Sequence, residues 1–527
     1  MTPLNANIFR TELENHPDQD FVKYIISGIS NGFDIGFQGP DSTYIARNMK
    51  SIKEHPDIIE KYVNEEVSAG RILGPFSFPP LSNFRCSPIG VVEKKNSGKF
   101  RTIMNLSFPE GQSVNDGIDK EYFSLSYITV DTAIDLILSA GRGSFLTKID
   151  IAKAFRQIPI NPSQWNLLGF SLNNQFYIDK VLSMGGRSSP AIFNDVAVAA
   201  KWVCCNNYGV GNLIHLLDDF LSVEPPDIKQ HAKPTILRVF HKLGLVINDK
   251  KVVGPNTKLE FLGITLDTTK MEASLSEEKI FDLDNKLLQL QNRQGCTQKE
   301  LLSLVGSLSF VARVIVPGRS FISRLISKAY TVKNLYHRIR ISRSMRMDCG
   351  LWRSFLQDWN GKSLFLSRES WHTEPEFSTD ASGSLGYGGV FGKNWFSCRW
   401  KNEELNWSIA VKELYSVVVA CQLWGSWWKG LRVVVRCDNQ SMVAAINKGY
   451  SKDMIISDLL RVLIYYALAG NFSISAKHIP GKKNRCSDLL SRLQVITFLQ
   501  ENEDANKVGD KVMENPLEVC RERFGSY

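Results

Sequence analysis

The apolar positions of this chain change their period several times, and the changes outline its organisation. Residues 1–70 are largely polar and helical in pattern, with breaks at Gly28, Gly32, Gly36 and Gly39-Pro40. From about 71 to 267, short β-rich runs (SPIGVVEKK, FRTIMNLS, SFLTKIDI, NQFYIDKVLS, LIHLLDDFLSV, LEFLGITLD) alternate with helical stretches around 131–140, 152–157, 188–206 and 227–243. That alternation predicts an α+β domain. Residues 276–347 take up helical spacing (Ile280, Leu283, Leu287, Leu288, then Leu301, Leu302, Leu304, Val305), interrupted at Gly295 and Pro317-Gly318. From 373 to 493 strands are again followed by helices. After about 494 the periodicity fades, and a mobile tail is expected. Five segments result: a helical N-terminal extension (1–70), an α+β domain (71–267), a helical region (268–372), a second α/β domain (373–493) and the tail (494–527).

Composition excludes several classes. A chain of 527 residues with 43% hydrophobic and 22% charged residues is ordinary globular material, long enough for three or four domains. No apolar run approaches 18 residues, and the first twenty residues lack a basic start followed by an apolar stretch. Neither secretion nor membrane insertion is expected, which leaves the cytoplasm, the nucleus or both. Ten cysteines include one adjacent pair, Cys204 and Cys205, and no C-x-x-C, so they read as core filler in a reducing compartment.

Charge changes the picture more by its placement than by its sum of +9. Residues 71–105 hold Arg71, Arg85, Lys94, Lys95, Lys99 and Arg101 against a single acid, Glu93. Residues 311–346 hold Arg313, Arg319, Arg324, Lys328, Lys333, Arg338, Arg340, Arg343 and Arg346 with no acid at all. Solvated faces usually interleave both signs, so a stretch this one-sided reads as a track for a phosphate backbone.

The chemistry begins at HLLDDFL, residues 215–221, where Asp218 and Asp219 interrupt an apolar run. Adjacent carboxylates in such surroundings need water, a turn or a cation. The pattern predicts a β-hairpin whose turn carries the acids. A third acid, Asp150, ends the strand-like SFLTKID. Were the two strands neighbours, three carboxylates would converge, and an oxygen-only cluster of that kind suits Mg²⁺. Two such ions about 3.5–4 Å apart serve in-line phosphoryl transfer.

In order, VVEKKNSGKFRTIMNLS, LTKIDIAKAFRQIPI, LSMGGRSSPAIFND, LIHLLDDFLSV, LGLVINDKK and LEFLGITLD resemble the successive motifs of a retroelement reverse transcriptase, over about residues 71–267. In detail the palm motifs resemble those of the DIRS and Ngaro group. The resemblance implies a right-hand polymerase of fingers, palm and helical thumb, with Asp150, Asp218 and Asp219 as metal-binding carboxylates. Lys94 and Arg101 match the fingers residues that embrace the incoming triphosphate. Phe155 matches the aromatic gate that excludes a 2′-hydroxyl; simple core packing is the competing role for that ring. Gly185 matches a glycine kept for close approach to the nucleotide, and Lys250 or Lys251 the lysine that protonates pyrophosphate. Leu216 and Met184 depart from the usual residues at their positions, and neither removes a metal ligand.

A second constellation follows. Asp380 lies in FSTDASGSLGYGGV, Glu413 near the start of a helix, Asp438 at the end of a strand, and Asp488 in CSDLLSRL behind the capping candidate Ser487. In order and context these resemble the Asp, Glu, Asp, Asp set of a ribonuclease H domain, over about 373–493. Such a site uses two Mg²⁺ ions, with Mn²⁺ as a substitute, to cut the RNA strand of an RNA:DNA hybrid. His478, in KHIPGKKN, is weighed as structural against a catalytic alternative; Lys482, Lys483 and Arg485 are the better candidates for hybrid contacts. The expected partners are an RNA template, a DNA primer, the hybrid and deoxynucleoside triphosphates. A recombinase or coat protein of such an element would lie outside this chain. The rival reading is a domesticated or decayed remnant that binds hybrids without catalysis.

Overall fold

The computed structural model describes residues 2–93, 100–227, 230–315, 318, 321–358, 362–363, 375–429, 431–449, 451, 453–470, 472–512 and 515–524. The chain divides into two units, Met1–Phe261 and Leu262–Tyr527. No described helix is long and apolar enough to cross a membrane.

Unit 1 is α+β. Its principal helices are α1 (Ala6–Glu12), α2 (Gln19–Asn31), α3 (Pro56–Ser68), α4 (Val130–Ala140), α5 (Ser189–Tyr208) and α6 (Ala232–Leu243). Its principal strands are β1 (Ile72–Phe76), β2 (Ile89–Glu93), β3 (Phe100–Met104), β4 (Phe145–Asp150), β5 (Gln175–Asp179), β6 (Asn212–Leu216), β7 (Asp219–Glu224) and β8 (Val253–Asn256). A four-stranded sheet of order β8-β4-β7-β6 forms the floor, and β2-β3 is a separate hairpin. Helices α4, α5 and α6 pack on the floor, which leaves Phe220 to Glu224 buried throughout. A strand covered on both sides reads as a continuous apolar run rather than an alternation, as LIHLLDDFLSV does.

The N-terminal extension shares the core of this unit: Phe9, Leu13, Ile25, Ile29, Ile59 and Val63 pack with Ile149, Phe220 and Phe240. The helical stretch expected around 152–157 is a 3₁₀ turn, Ala154–Gln157, entered from Lys153 at a left-handed φ of 47°. The two compact units divide between Phe261 and Leu262.

Unit 2 opens with an antiparallel pair of short strands, Ile264–Asp267 and Glu272–Ser274, followed by α7 (Glu277–Asn292), β9 (Gly295–Thr297), α8 (Gln298–Val311), α9 (Ser323–Ala329), β10 (Arg338–Arg340) and α10 (Arg343–Asp358). Thr297 and Glu300 close α8 with a reciprocal capping box. The expected helical character of this region is corrected at β10, which pairs antiparallel with β9. The second block holds β11 (Glu376–Ala381), β12 (Gly386–Phe391), β13 (Asn394–Arg399), α11 (Ile409–Trp424), β14 (Arg432–Cys437), α12 (Gln440–Lys448), α13 (Met454–Ala469), β15 (Ser473–His478) and α14 (Arg485–Ser491). Its sheet order is β13-β12-β11-β14-β15, antiparallel across the first three strands and parallel across the rest. This is the α/β, ribonuclease H-like arrangement that the sequence predicts.

The tail is also corrected, since its described part is docked. Phe498 of α15 (Val495–Glu501) joins Trp395, Leu489 and Leu490 in a small core. Trp395 Nε1 donates to the Asn506 carbonyl at 2.7 Å, and Trp424 Nε1 to Asp510 Oδ2 at 2.7 Å. Buried indole N–H groups need acceptors, and the tail supplies two of them.

Candidate catalytic sites and nucleic-acid surface

Register builds the first site. β6 and β7 form a hairpin that turns over Leu217 and Asp218, with Leu216 opposite Asp219. β7 in turn pairs with β4 so that Asp219 lies directly opposite Asp150. Directly opposed residues of an antiparallel pair are cross-strand neighbours, so two of the three acids meet by pairing alone and the third by the turn. Leu217 holds φ at 51°, the left-handed region a leucine rarely takes. The Asp218 carbonyl accepts from Ile151 N at 3.0 Å, which ties the turn to the end of β4.

Asp150 is 5% exposed; its Oδ1 accepts from Asn248 Nδ2 at 3.1 Å and its Oδ2 from Lys251 Nζ at 2.8 Å. Asp219 Oδ1 pairs with Lys148 Nζ at 3.3 Å. Burial pushes the Asp218 carboxyl above its ordinary range, and the charges of Asp219 and Asp150 add to the effect. The oxygens of the three aspartates do not all come within 4.8 Å of one another, and the outer two carboxylates are paired with Lys251 and Lys148. Three acids against two lysines leave a surplus of negative charge on oxygen donors, and that set fits a hard divalent cation. Within the hairpin, His215 of β6 stacks on Phe220, its cross-strand partner, at 5.0 Å, and burial drives its pKa down to about 4, so it is a neutral packing group.

Around this cluster, Phe155 is half-buried in the 3₁₀ turn, its ring edge-on to Phe193 at 5.9 Å. A Cβ on Gly185 would lie 2.0 Å from the Met104 carbonyl oxygen, so the close approach the structure shows there is to the end of β3. Arg101 is exposed on β3 opposite Val92. Lys94 lies outside the described residues. Of the two candidate lysines, Lys251 reaches the Asp150 carboxylate while Lys250 is simply exposed.

The second site gathers at the ends of β11, α11 and β14. Asp380 is 7% and Glu413 3% exposed. Ser491 Oγ donates to Asp380 Oδ2 at 2.5 Å. Ligand atoms of Glu413, Cys437 and Asp438 all lie within 4.8 Å of one another, and the Cys437 thiol donates to Glu413 Oε2 at 3.6 Å. Burial first, then the charges of Asp438 and Asp488, raise Asp380 to about 6; burial, then Asp380 and Asp438, raise Glu413 to about 9. Carboxylates that disfavour one another's charge are the electrostatic signature of a cation site.

Asp488 stands at the rim, with Arg492 Nε one turn along at 2.7 Å from its Oδ1. Ser487 is corrected as a cap: α14 begins at Arg485, and the buried Ser487 hydroxyl meets Ser378 Oγ at 2.7 Å instead. His478 ends β15, exposed and in register with Cys437.

The proposed cation track separates into exposed and committed groups. Arg313, Lys328, Arg338, Arg340 and Arg343 are exposed, and Arg338 and Arg340 flank the buried Ile339, so both project from one face of β10. Arg324 is corrected: it is 8% exposed, 3.6 Å from Asp348 and 4.0 Å from Asp458. Arg346 donates to the carbonyls of Gln291 and Arg293 at the end of α7. Arg319 lies outside the described residues. Lys482 and Lys483 are exposed, whereas both arms of the Arg485 guanidinium are held by Glu501, at 2.7 and 2.5 Å. Lys148, Asn248, Ser491 and Arg492 were not anticipated. Lys148, two residues before Asp150 on the same strand face, and Arg492, four after Asp488 on a helix, stand at spacings that could have flagged them.

Residues 92–266 match the family model described as reverse transcriptase (RNA-dependent DNA polymerase). The chain is 21% identical, over 85% of its length, to the polyprotein P3 of Commelina yellow mottle virus, of which it covers 23%. It is 22% identical, over 86% of its length, to the retrovirus-related Pol polyprotein from transposon opus of Drosophila melanogaster, of which it covers 43%. It thus spans less than half of either relative. Among solved structures it is similar to a foamy viral protease-reverse transcriptase in complex with dsDNA, with TM-score 0.49 and 17% identity over 91% of this chain and 98% of that one.

Proposed function

From a reverse transcriptase domain over residues 92–266, we propose that this chain is an RNA-directed DNA polymerase that also degrades the RNA strand of the hybrid it makes. One observation carries the polymerase reading: the β4–β7 register opposes Asp150 and Asp219 while the hairpin turn adds Asp218. Asn248 and Lys251 hold the Asp150 carboxylate in place, and Lys148 holds Asp219. Mg²⁺ or Mn²⁺ bound at the carboxylates would polarise the attacking oxygen and stabilise the leaving one. Lys251 is the candidate to protonate departing pyrophosphate, supported by the contact of its Nζ with the Asp150 carboxylate. Arg101 serves the triphosphate from the fingers hairpin, and Phe155 excludes a 2′-hydroxyl.

The hydrolytic reading rests on Asp380, Glu413 and Asp438 at the ends of neighbouring elements of one sheet and helix, with Asp488 at their rim. The exposed Arg338, Arg340, Arg343, Lys482 and Lys483 supply phosphate contacts for template, primer and hybrid. The wording of the palm motifs, DIAKAFRQIPI and LDDFL, supports placement near the DIRS and Ngaro retrotransposons. A chain of this kind acts in the cytoplasm or nucleus, where template RNA and nucleotides meet.

Extension of oligo(dT) on poly(rA) with dTTP and Mg²⁺ tests the polymerase reading. Full-length product that disappears with chelator is expected; no product over a range of template, metal and salt concentrations would refute it.

A further inference from the structure

The geometry points to Glu66 as the residue that positions the sugar-discriminating ring of Phe155, an inference that rests on the polymerase reading above. Glu66 lies on α3 with no solvent exposure. Its Oε1 accepts from Arg71 Nη2 at 2.7 Å and Lys153 Nζ at 3.1 Å; its Oε2 accepts from Arg71 Nε at 2.6 Å and Arg156 Nε at 2.9 Å. Arg156, 7% exposed, turns its Nη1 to Asp179 Oδ2 at 2.5 Å. Lys153 and Arg156 bracket Phe155, so one buried carboxylate from the N-terminal segment grips the 3₁₀ turn on both sides of the ring.

The rest of the turn is fixed as well. Gln157 Nε2 donates to the carbonyls of Ala152 and Val246 at 2.6 and 3.0 Å, and its Oε1 accepts from Val246 N at 2.9 Å. Lys153 holds φ at 47°, a conformation that strains a non-glycine residue and persists where surrounding contacts impose it. Burial opposes the Glu66 charge, yet the hydrogen bonds from Arg71, Lys153 and Arg156 and the Arg156 charge bring its pKa down to about 2. It is therefore a carboxylate at any working pH.

Why retain such a network? A buried ion-pair cluster is a poor source of stability, roughly neutral against apolar packing of the same volume. What four donors on two oxygens do provide is a single arrangement. A cavity of about 40 Å³ lined by Tyr62, Thr102, Arg156, Asp179 and Met184 lies alongside. With Glu66 cut, the Arg156 guanidinium has room to shift into it, and the turn loosens where Phe155 must stand against the sugar.

The test is the ratio of kcat/KM for dTTP over UTP on poly(rA)/oligo(dT), measured in the parent, Glu66→Gln, Phe155→Ala and the double variant. Glu66→Gln should lower the ratio about tenfold or more, since small misplacements of a positioning group cost this much or more. In the Phe155→Ala background it should lower it no further. A merely structural role would reduce the active fraction and scale both nucleotides equally, leaving the ratio at the parent's value; that result overturns the inference. Should Glu66→Gln fail to fold, Lys153→Met, whose side chain is 57% exposed, carries the test. A smaller drop in its ratio is expected, and the parent's ratio would overturn the role of the network. A parent that extends with neither nucleotide refutes the polymerase reading itself, and this inference falls with it.

Discussion

Arg324 and the trio Arg338, Arg340 and Arg343 belong to one acid-free run of sequence, and the structure gives them opposite fates. Arg324 faces Asp348, which is fully buried and also receives Arg461 Nη2 at 2.8 Å. Replacing Arg324 with Gln strips charge from that buried group but leaves Arg461 in place. The cost should be about 3 kcal/mol, the lower end of the range for breaking a buried pair by removing one partner. In a unit of this size that is a fall in Tm of about 6–12 °C. The trio is exposed, and its replacement with Gln should leave Tm within about 2 °C of the parent while flattening the salt dependence of hybrid binding. At about 0.9 in log–log slope per phosphate contact on duplex DNA, three lost contacts amount to up to about 2.7 units. Fluorescence anisotropy of a labelled RNA:DNA hybrid at four or five salt concentrations, with thermal unfolding of the same samples, reads both quantities. An Arg324→Gln protein with the parent's Tm and a flatter slope would refute the division. So would a triple variant with the parent's slope.

Lys251→Met should slow single-nucleotide incorporation about a hundredfold or more, the range for losing a positioned proton donor, while Lys250→Met stays near the parent; equal effects in rapid-quench assays would contradict the assignment. Glu413, an acid raised from 4.5 to about 9, holds in the folded state a proton that the unfolded chain has released, so without metal the folded state loses stability as pH rises through that window. A divalent cation must displace that proton, and the Asp380 proton held up to about 6, so hybrid cleavage at fixed Mg²⁺ should climb from pH 6 to 9; a flat profile would count against this site. Phe498→Ala should cost about 3–5 kcal/mol by opening the small core beside Trp395, seen as a lower Tm in unit 2; an unchanged Tm would mean that the tail does not pack as described.

The acids were the most legible feature of the sequence, because Asp150 ends one strand-like run, Asp218 and Asp219 interrupt another, and the motifs around them follow one another in a recognisable order. Asp150, Asp218 and Asp219 were expected to converge, and the strand register shows how they do so. Long-range pairing was the part hidden from any window: Arg324 finds its acids at Asp348 and Asp458, outside the run that made it look unpaired. Two other signals were present and outweighed. Arg338, Ile339, Arg340 and Ile341 alternate with period two, the mark of a strand, inside a region read by its helical surroundings. Ile59, Val63 and Glu66 fall at i, i+4 and i+7 on α3, which places Glu66 on the buried stripe while its neighbour Glu65 faces solvent. The docked tail could not be read from periodicity, since its polar anchors, the Asn506 carbonyl and the Asp510 carboxylate, meet Trp395 and Trp424, which lie far earlier in the chain.

On the proposed function, one chain carries two independent carboxylate sites, one that synthesises DNA and one that cuts the RNA beneath it. The direct measurement follows primer extension and cleavage of an end-labelled RNA template in the same reaction, for the parent, Asp218→Asn and Asp438→Asn. The parent should show both activities, Asp218→Asn cleavage of preformed hybrid without extension, and Asp438→Asn extension without cleavage. Extension by Asp218→Asn at the parent's rate, or loss of both activities in each properly folded variant, would contradict it.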